Sequence, residues 1–394
     1  MNSAISKIVT PRLFLKSAIA GISIIIPTYK RVNLCRKLLA SLQDSCQGFS
    51  DEREIIIVDN SPPKEAFEIE TLALQYGVKY FWKKIGVGAK RNFGAKVAAY
   101  PILLFIDSDC EATPALLQEH LRLYQTHSEI VAVLGKTEFK GRKNWLWQVL
   151  QYTPYLHPFT FADEPGQKVW GPSNNLSCRR DIFMEIGGFN EAWCDKPGGE
   201  DVDFGYRLHQ EGYLFSTNPK ALVYHTTETW KTFGQMCDRL FNWGKGEFYL
   251  YCDREDSLYY DCPKGLGLFL ILLPVAVGAA IVAEKGQWLI LPLLFLAINF
   301  TSRFLLHCCH NPQRCLRLDR VFLAEVLMLV YEVGLTVQCC RERWFAPLFQ
   351  RLIVLPEDAA YLWNTQVLYT WITFAQLILT LSIFQGLNAQ FLCN

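Results

Sequence analysis

Four uninterrupted apolar runs alternate with segments of helical composition in the first part of the chain, and this alternation limits the folds open to it. The runs are ISIIIP at 22–27, EIIIVDN at 54–60, VKYFW at 78–82 and ILLFID at 102–107. Strands covered by helices on both faces read as continuous apolar runs, as in parallel sheets. Residues 32–43 and 88–99 are predicted helices between them. The order predicts an α/β domain with a mainly parallel sheet.

Polar side chains follow three of these runs, at the points where the predicted strands end. They are Thr28, Asp59 and the pair Asp107 and Asp109. In open α/β sheets ligands bind beyond the carboxyl ends of the strands, so these side chains are expected in one crevice. Mg²⁺ or Mn²⁺ is commonly held by one or two carboxylates together with a diphosphate. The competing interpretation is that the Asp-x-Asp triplet lies on an ordinary solvated turn.

The stretch GVGAKRNFG at 86–94 has glycines without the spacing of a P-loop or of a dinucleotide fingerprint. It does put Lys90, Arg91 and Asn92 near a predicted helix start, where backbone N–H groups and the helix dipole favour an anion. An ordinary first turn with solvated basic side chains explains the same pattern.

A second acidic cluster occurs in GGEDVDFGYRLHQEG at 198–212, where Glu200, Asp201 and Asp203 precede a predicted helix. Helix capping accounts for one or two acids at such a position, because carboxylates favour the positive end of the dipole. Three acids after two glycines favour a further role. A carboxylate placed to take a proton from an attacking hydroxyl would act as a general base.

The second part of the chain is predicted to be a membrane region covering residues 263–394. Predicted spans are 266–283, 288–302 and 367–387, with only residues 284–287 between the first two. The second, at 15 residues, is shorter than the roughly 20 usually needed to cross. Residues 321–340 are ambiguous, because Glu325 and Glu332 fall on one helical face. This segment is either a fourth span or an interfacial helix, and the arginines on both sides favour the interface. The leader at 1–20 has a weak pattern of a surface-lying segment.

Charge and cysteine content exclude other classes of protein. A net charge of +1 gives no electrostatic footprint for nucleic acid. The 14 cysteines are scattered rather than spaced as in a small secreted domain, which predicts mostly reduced thiols. The predicted spans, together with the mostly reduced thiols, predict a multi-pass membrane protein whose folded domain, at 21–262, faces the cytoplasm.

Six motifs together resemble the family 2 glycosyltransferases, which have the GT-A fold. They are PTYKR at 27–31, VDN at 58–60, KRNFG at 90–94, IDSD at 106–109, NNLSCRRDIFMEIGGFNE at 174–191 and GEDVDFGYRL at 199–208. The resemblance covers about residues 20–230, and the combination of motifs is far more specific than any one of them. It implies an inverting, metal-dependent transfer of a sugar from a nucleotide-diphosphate sugar to a hydroxyl group.

The resemblance also implies roles for individual residues. Asp109 would hold Mn²⁺ or Mg²⁺ with Asp107 beside the nucleotide, and His225 is a further candidate metal ligand, although a lone His at a strand end is often structural. Asp59 would bind the base of the nucleotide, and Thr28, Arg91 and Asn92 would lie near that nucleotide. Asp201 would be the catalytic base, with Glu200 beside it. Trp170 either borders the acceptor or belongs to the core.

Two departures from the family pattern affect the prediction. Asp59 is followed by Asn60 where many relatives have a second acid, and no Gln-x-x-Arg-Trp motif occurs, the nearest text being QMCDRLFNWGKG at 235–246. The second departure favours transfer of a single sugar over processive synthesis. The apolar C-terminal part favours a lipid-linked or membrane-associated glycan as acceptor, unless it serves only as an anchor. Two alternatives stay open: a catalytically silent membrane scaffold that binds a nucleotide sugar, and a nucleotidyltransferase, for which PTYKR supplies no phosphate loop.

Overall fold

The computed structural model describes residues 21–164, 166–191, 198–253, 258–260, 265–310, 317–352, 372–373 and 375–385. It divides into two compact units, one comprising residues 1–143 and 155–231, the other residues 144–154 and 232–394. The predicted leader at 1–20 lies outside the described residues. The sequence placed the boundary between catalytic and membrane regions at residue 262, whereas the first compact unit ends at residue 231.

The first unit contains eight strands and six helices among its described residues. The strands are β1 (Gly21–Thr28), β2 (Glu52–Asp59), β3 (Lys79–Trp82), β4 (Ile102–Ile106), β5 (Cys110–Ala112), β6 (Ala132–Lys140), β7 (Asn175–Arg179) and β8 (Phe215–Thr226). The helices are α1 (Val32–Cys46), α2 (Pro63–Gln75), α3 (Val87–Val97), α4 (Leu116–Thr126), α6 (Arg180–Glu185) and α7 (Glu200–Gln210). Helix α5 (Trp145–Leu150) belongs to the second unit. The four predicted strands and two predicted helices are thus confirmed within a few residues.

The eight strands form one mixed sheet in the order β3-β2-β1-β4-β7-β6-β8-β5. Strands β1 to β4 pair in parallel, β7 runs antiparallel to both its neighbours, and β8 pairs in parallel with β6 and antiparallel with β5. Buried clusters lie on both faces, one centred on Ile24 and Leu104 and the other on Phe105 and Phe204. The α/β prediction is confirmed, and the antiparallel half extends it.

Strand register carries the polar strand ends to one edge of this sheet. Thr28 pairs with Asp59 at the ends of β1 and β2, and the neighbouring β4 ends at Ile106, immediately before Asp107. At the other end of the strand order, Cys110 of β5 pairs with His225 of β8. The residues predicted for nucleotide and metal therefore emerge along the same edge, as expected for parallel strand ends.

The second unit is largely helical. Its described helices are α5, α8 (Phe233–Asp253), α9 (Gly265–Ala283), α10 (Ile290–His310) and α11 (Leu318–Glu342), and a short antiparallel pair joins β9 (Leu258–Tyr260) to β10 (Gln350–Leu352). Helices α9 and α10 form the hairpin predicted around residues 284–287.

Three helical segments in the described residues are long and apolar enough to cross a membrane: Leu266–Ala283, Gly286–Leu305 and Leu318–Glu342. The second is longer than the 15 residues expected from sequence, because the helix continues past Ser302 through Arg303, whose charge is paired with Glu325 and Glu332. The ambiguous segment at 321–340 is part of the third. Of the predicted span at 367–387, the structure describes only 372–373 and 375–385, where Ala375–Gln385 is a shorter apolar helix.

Helices α8 and α11 cross at two glycines. A Cβ atom added at Gly244 would overlap the carbonyl oxygen of Tyr331, and one added at Gly334 would overlap that of Phe241. Small residues at such a crossing let two helix backbones approach closely. Helix α11 is accordingly about half buried against its neighbours.

A charged cluster joins α10 to α11. Arg303 contacts Glu325 at 3.1 Å and also pairs with Glu332, and both glutamates are buried. The two glutamates do share one helical face, as their spacing predicts, and that face packs against another helix.

Candidate active site

The site is built from the residues that follow β1, β2 and β4, together with the starts of α3 and α7. At the β2 end, Asp59 is completely buried and accepts hydrogen bonds from the backbone N–H and hydroxyl of Ser61 at 2.9 and 2.5 Å. Its other oxygen accepts from the Tyr80 hydroxyl at 3.0 Å. The carboxylate is thereby fixed in orientation at the sheet edge. Burial, followed by the charge of Asp59, raises the pKa of Tyr80 and keeps that hydroxyl protonated.

Lys90, on α3, joins the ends of β1 and β2. Its ammonium group donates to the carbonyl oxygen of Thr28 and to the side-chain oxygen of Asn60, both at 2.6 Å. Burial lowers the pKa of Lys90 to about 8. Asn60 also donates to the carbonyl of Ile85 at 3.2 Å, which an ionised acid at that position would be unable to do. The departure from the family pattern at residue 60 therefore has a local structural use.

Arg91 connects the two acidic motifs. Its guanidinium is buried and donates to Asp107 at 2.7 Å and to Glu200 at 3.0 Å, while its face covers the ring of Phe189. Burial disfavours the charge, but Asp107 and Glu200 more than compensate and hold the pKa of Arg91 above its ordinary value. One side chain thus places the Asp-x-Asp motif and the Glu200–Asp201 pair on the same crevice.

Asn92, the next residue, makes a different set of contacts. Its amide group forms two hydrogen bonds with the backbone of Phe189, at 2.7 and 2.8 Å, and one with Glu191 at 3.1 Å. These bonds fix the segment that leads toward α7. In the structure Asn92 therefore contacts protein backbone, one residue away from the Arg91 bridge.

Asp109 lies between the guanidinium of Arg31 and the imidazole of His225. One of its oxygens is 2.9 Å from Arg31 and 3.4 Å from the Thr229 hydroxyl, and the other is 3.5 Å from Nε2 of His225. The β5–β8 pairing produces this arrangement, because the backbone N–H of Thr226 donates to the carbonyl of Asp109 at 2.9 Å. The structure thus brings Asp109 and His225 together, whereas Asp107 turns toward Arg91.

The donor set fits a divalent cation. Nδ1 of His225 donates to the carbonyl of Thr226 at 2.9 Å, so Nε2 is the ring nitrogen that faces Asp109. A carboxylate oxygen and an imidazole nitrogen that face each other at 3.5 Å are two donor atoms that a divalent cation could join. Oxygen and nitrogen donors suit Mn²⁺, while Mg²⁺ prefers oxygen alone. The sulfur of Cys110 lies within 4.8 Å of the same atoms, but burial raises its pKa and Asn174 contacts it from both its carbonyl and its amide.

Asp201 has the properties expected of a general base. It lies in the first turn of α7 rather than before the helix, and accepts hydrogen bonds from the backbone N–H groups of Val202 and Ser173. Burial and the neighbouring charge of Glu200 raise the pKa of Asp201 to about 7, against the opposing effect of Arg91. A carboxylate with a pKa near neutrality is well matched to accept and release a proton at physiological pH. The third acid, Asp203, is instead buried in an ion pair with Arg207 at 2.9 Å.

Trp170 is half-buried. Its ring packs against Phe161 at 5.5 Å between centroids and against the second core cluster, and its backbone approaches Gly205 of α7. It therefore packs on the same helix that begins with Glu200 and Asp201.

Three contacting residues were not assigned roles from sequence: Ser61 and Tyr80 orient Asp59, and Arg31 contacts Asp109. Lys90, predicted near an anion, instead joins two strand ends. A signal existed for Ser61, since a residue two positions after an Asp often donates to its carboxylate. For the others the partner is distant in sequence, so no local pattern indicates it.

A mixed α/β sheet whose edge carries an oriented carboxylate, an Asp-x-Asp motif and a poised acid defines the GT-A class of glycosyltransferase folds. A family model described as Glycosyl transferase family 2 matches residues 23–189. Residues 23–189 of the chain therefore match the family 2 glycosyltransferases.

Curated relatives agree with this assignment. Validoxylamine A glucosyltransferase of Streptomyces hygroscopicus subsp. jinggangensis is 26% identical over 219 residues, covering 48% of this chain and 52% of the relative. Chondroitin synthase of Escherichia coli is 25% identical over 241 residues, covering 52% and 35%. Dolichol-phosphate mannosyltransferase of Pyrococcus furiosus is 27% identical over 129 residues, covering 32% and 36%. The chain thus spans about half the length of these relatives or less.

Among solved structures, the mannosyltransferase PcManGT from Pyrobaculum calidifontis, in complex with GDP-Man and Mn²⁺, is similar in fold. The match has a TM-score of 0.50 and 13% sequence identity, and covers 82% of this chain and 87% of the other. At this identity the similarity establishes the fold.

Proposed function

We propose that this protein is an inverting, metal-dependent glycosyltransferase that moves a single sugar from a nucleotide-diphosphate sugar to a hydroxyl of a lipid-linked or membrane-associated glycan. The family match and the curated relatives support sugar transfer as the reaction class. Mn²⁺ or Mg²⁺ is the proposed cofactor, a proposal to which the Mn²⁺ complex of the structural neighbour adds.

The observation that carries the proposal is the Arg91 bridge. One guanidinium lies within 3.0 Å of both Asp107 and Glu200, although these residues belong to separate motifs. The acids expected at the leaving diphosphate and the acid expected at the acceptor hydroxyl therefore border one crevice. A single displacement reaction needs such an arrangement, since the base and the leaving group act on the same sugar carbon.

In the proposed reaction, Asp201 takes the proton of the acceptor hydroxyl as its oxygen forms a bond to the anomeric carbon. The bond from that carbon to the nucleoside diphosphate breaks, and the configuration inverts. Asp59 would orient the nucleotide base, with Thr28 and Arg91 nearby. Asn92 would hold the segment at Phe189 and Glu191 that it contacts. Asp109 and His225, with Asp107 adjacent, would hold a divalent cation whose charge stabilises the departing diphosphate.

The second unit supports the proposed acceptor and location. Three helical segments long and apolar enough to cross a membrane support a multi-pass protein with a membrane-associated acceptor. We place the catalytic unit on the cytoplasmic side, where nucleotide sugars are available, and Trp170 near the acceptor, where an aromatic face would stack on a sugar ring.

The test is purification in detergent and incubation with a panel of nucleotide sugars, with and without Mn²⁺ or Mg²⁺, in the presence of a membrane lipid extract. Release of nucleoside diphosphate from one donor, dependent on metal, is the expected result. The Asp109→Ala variant is expected to lose the metal dependence together with the activity. NMR of the product, showing an anomeric configuration opposite to that of the donor, tests inversion.

Asp201→Asn separates the roles of the two motifs. We expect it to abolish transfer while nucleotide binding persists, and wild-type turnover in this variant would overturn the base assignment. Asp44→Asn, which removes an exposed acid from α1, is the matched control and should leave turnover unchanged. The scaffold alternative predicts a different result: nucleotide-sugar binding with no release from any donor.

A further inference from the structure

Arg31 occupies the position at Asp109 where a cation is expected. Its Nη1 atom lies 2.9 Å from Oδ2 of Asp109, and the two side chains differ sharply in exposure, at 33% for Arg31 and 2% for Asp109. A buried carboxylate needs a compensating charge, and here an arginine whose side chain is one-third exposed supplies it. The arginine is the partner that is able to leave, because water solvates it readily at its present position.

The loop that carries Arg31 is tied to the nucleotide end of the crevice. Lys30, the residue before it, has a left-handed backbone with φ of 57°, which is uncommon for a side chain other than glycine. Its backbone N–H donates to the hydroxyl of Ser61 at 2.7 Å, and the same hydroxyl donates to Asp59. The main chain before Arg31 is therefore held by the residues around Asp59, while the end of the Arg31 side chain is held mainly by Asp109.

We propose that Arg31 is an exchangeable cation that competes with the divalent metal for Asp109 and then pairs with the diphosphate of the bound nucleotide. This inference rests on the proposed function for the identity of the ligands. Without metal, the guanidinium neutralises the buried carboxylate. When a metal–diphosphate complex binds, the metal would take the carboxylate, and the released guanidinium would contact the diphosphate oxygens. Guanidinium groups bind phosphate oxygens in a planar, bidentate geometry.

The proposal requires that loss of Arg31 has opposite effects on two binding reactions. Arg31→Gln removes the cation that competes for Asp109, so Mn²⁺ alone should bind more tightly. One charge-assisted contact corresponds to an increase of about tenfold. Binding of UDP or GDP in the presence of saturating Mn²⁺ should weaken by about the same factor, because a phosphate contact is lost. A variant that merely disturbs the fold would weaken both reactions.

The experiment measures Mn²⁺ binding to the full-length protein in detergent by electron paramagnetic resonance of the free ion, without any nucleotide, and then nucleotide binding by calorimetry. Arg36→Gln is the matched control, since it removes the same charge from an exposed position on α1 and should change neither value. Adding Asp109→Asn to Arg31→Gln should abolish the tightened Mn²⁺ binding, which locates the ion. Arg31→Lys, which keeps the charge at the loop, should fall between wild type and Arg31→Gln.

Two outcomes overturn the proposal. In the first, Mn²⁺ binding in Arg31→Gln is unchanged, weaker or undetectable. In the second, Mn²⁺ binding tightens but nucleotide binding does not weaken, which removes the exchange to the diphosphate. Neither readout depends on sugar transfer, so the Arg31 result stands apart from the donor panel. A protein that binds metal by this exchange but releases no sugar would contradict only the transferase proposal.

Discussion

At the scale of single residues, the site depends on carboxylates that have the same chemistry but different surroundings. Asp59 is held by three hydrogen bonds, Asp109 by a guanidinium and an imidazole, and Asp201 by two backbone N–H groups beside a second acid. Burial and the like charge of Glu200 raise the pKa of Asp201 to about 7. Its surroundings are those of a group that exchanges a proton, whereas Asp59 is held by hydrogen-bond donors and Asp109 faces a guanidinium and an imidazole, as binding groups do.

This difference predicts a pH dependence of transfer. Asp201 acts as a base only when ionised, so the rate should fall as the pH drops below about 7, approaching tenfold per pH unit. Glu200→Gln removes the neighbouring charge that raises the pKa of Asp201, and should move the midpoint to lower pH by about one unit. The measurement is kcat/KM against pH for both proteins. Asp44→Asn should keep the wild-type midpoint, and a midpoint that stays fixed in Glu200→Gln would contradict the assignment.

Sequence reasoning located the members of the site but not most of their partners. Asp59, Asp107 and Asp109 are visible because each follows an apolar run, and polarity that changes at a strand end is a local pattern. The contacts of Arg91 with Glu200 and of Asp109 with His225 join segments about a hundred residues apart, and depend on strand pairings no local pattern specifies. Nor did the sequence indicate that β7 enters the sheet antiparallel, since fully buried strands look alike in either direction.

At the scale of elements, the crossing of α8 and α11 depends on the absence of two side chains. Gly334→Ala would place a methyl group against the carbonyl oxygen of Phe241, so the helices would have to separate. We expect a loss of roughly 2 kcal/mol in the free energy of unfolding, as for overpacked cores. Gly234→Ala is the matched control, because it lies on α8 with open space around it and should be neutral or slightly stabilising. Thermal unfolding in detergent measures both, and equal melting temperatures would contradict the close crossing.

The charged cluster between α10 and α11 makes a second prediction at this scale. Arg303→Met would remove the guanidinium that Glu325 and Glu332 both contact, with an expected cost of about 3 kcal/mol. Changing both glutamates to Gln in the same protein should restore most of the stability, because two buried negative charges are then gone. The comparison uses melting temperatures in one detergent. If the triple variant is no more stable than Arg303→Met, the cluster contributes through packing rather than charge.

At the scale of the whole molecule, the question is where the catalytic unit ends. The sequence placed the end at residue 262, where charged residues give way to apolar ones. Contacts assign residues from 232 onward to the helical unit, because α8 buries Leu240 and Phe248 within that unit, and Phe248 packs with Leu335 and Cys339 of α11. A helix with a mixed surface composition was counted with the globular part because composition does not reveal which partner covers its apolar face.

Two truncations decide between these boundaries. A chain ending after Lys231 lacks α8. A chain ending after Lys264 keeps α8 but lacks α11, so the face of α8 that packs against α11 is left exposed. We expect the longer protein to aggregate more, since an exposed apolar helix face drives association. Both proteins retain α5, so the difference between them reports on residues 232–264, which comprise α8 and β9. The measurement is the fraction of each that stays in the supernatant after high-speed centrifugation without detergent. Changing Leu240 and Phe248 to Ser in the longer protein should recover part of the difference, and equal solubility of the two truncations would favour the boundary at residue 262.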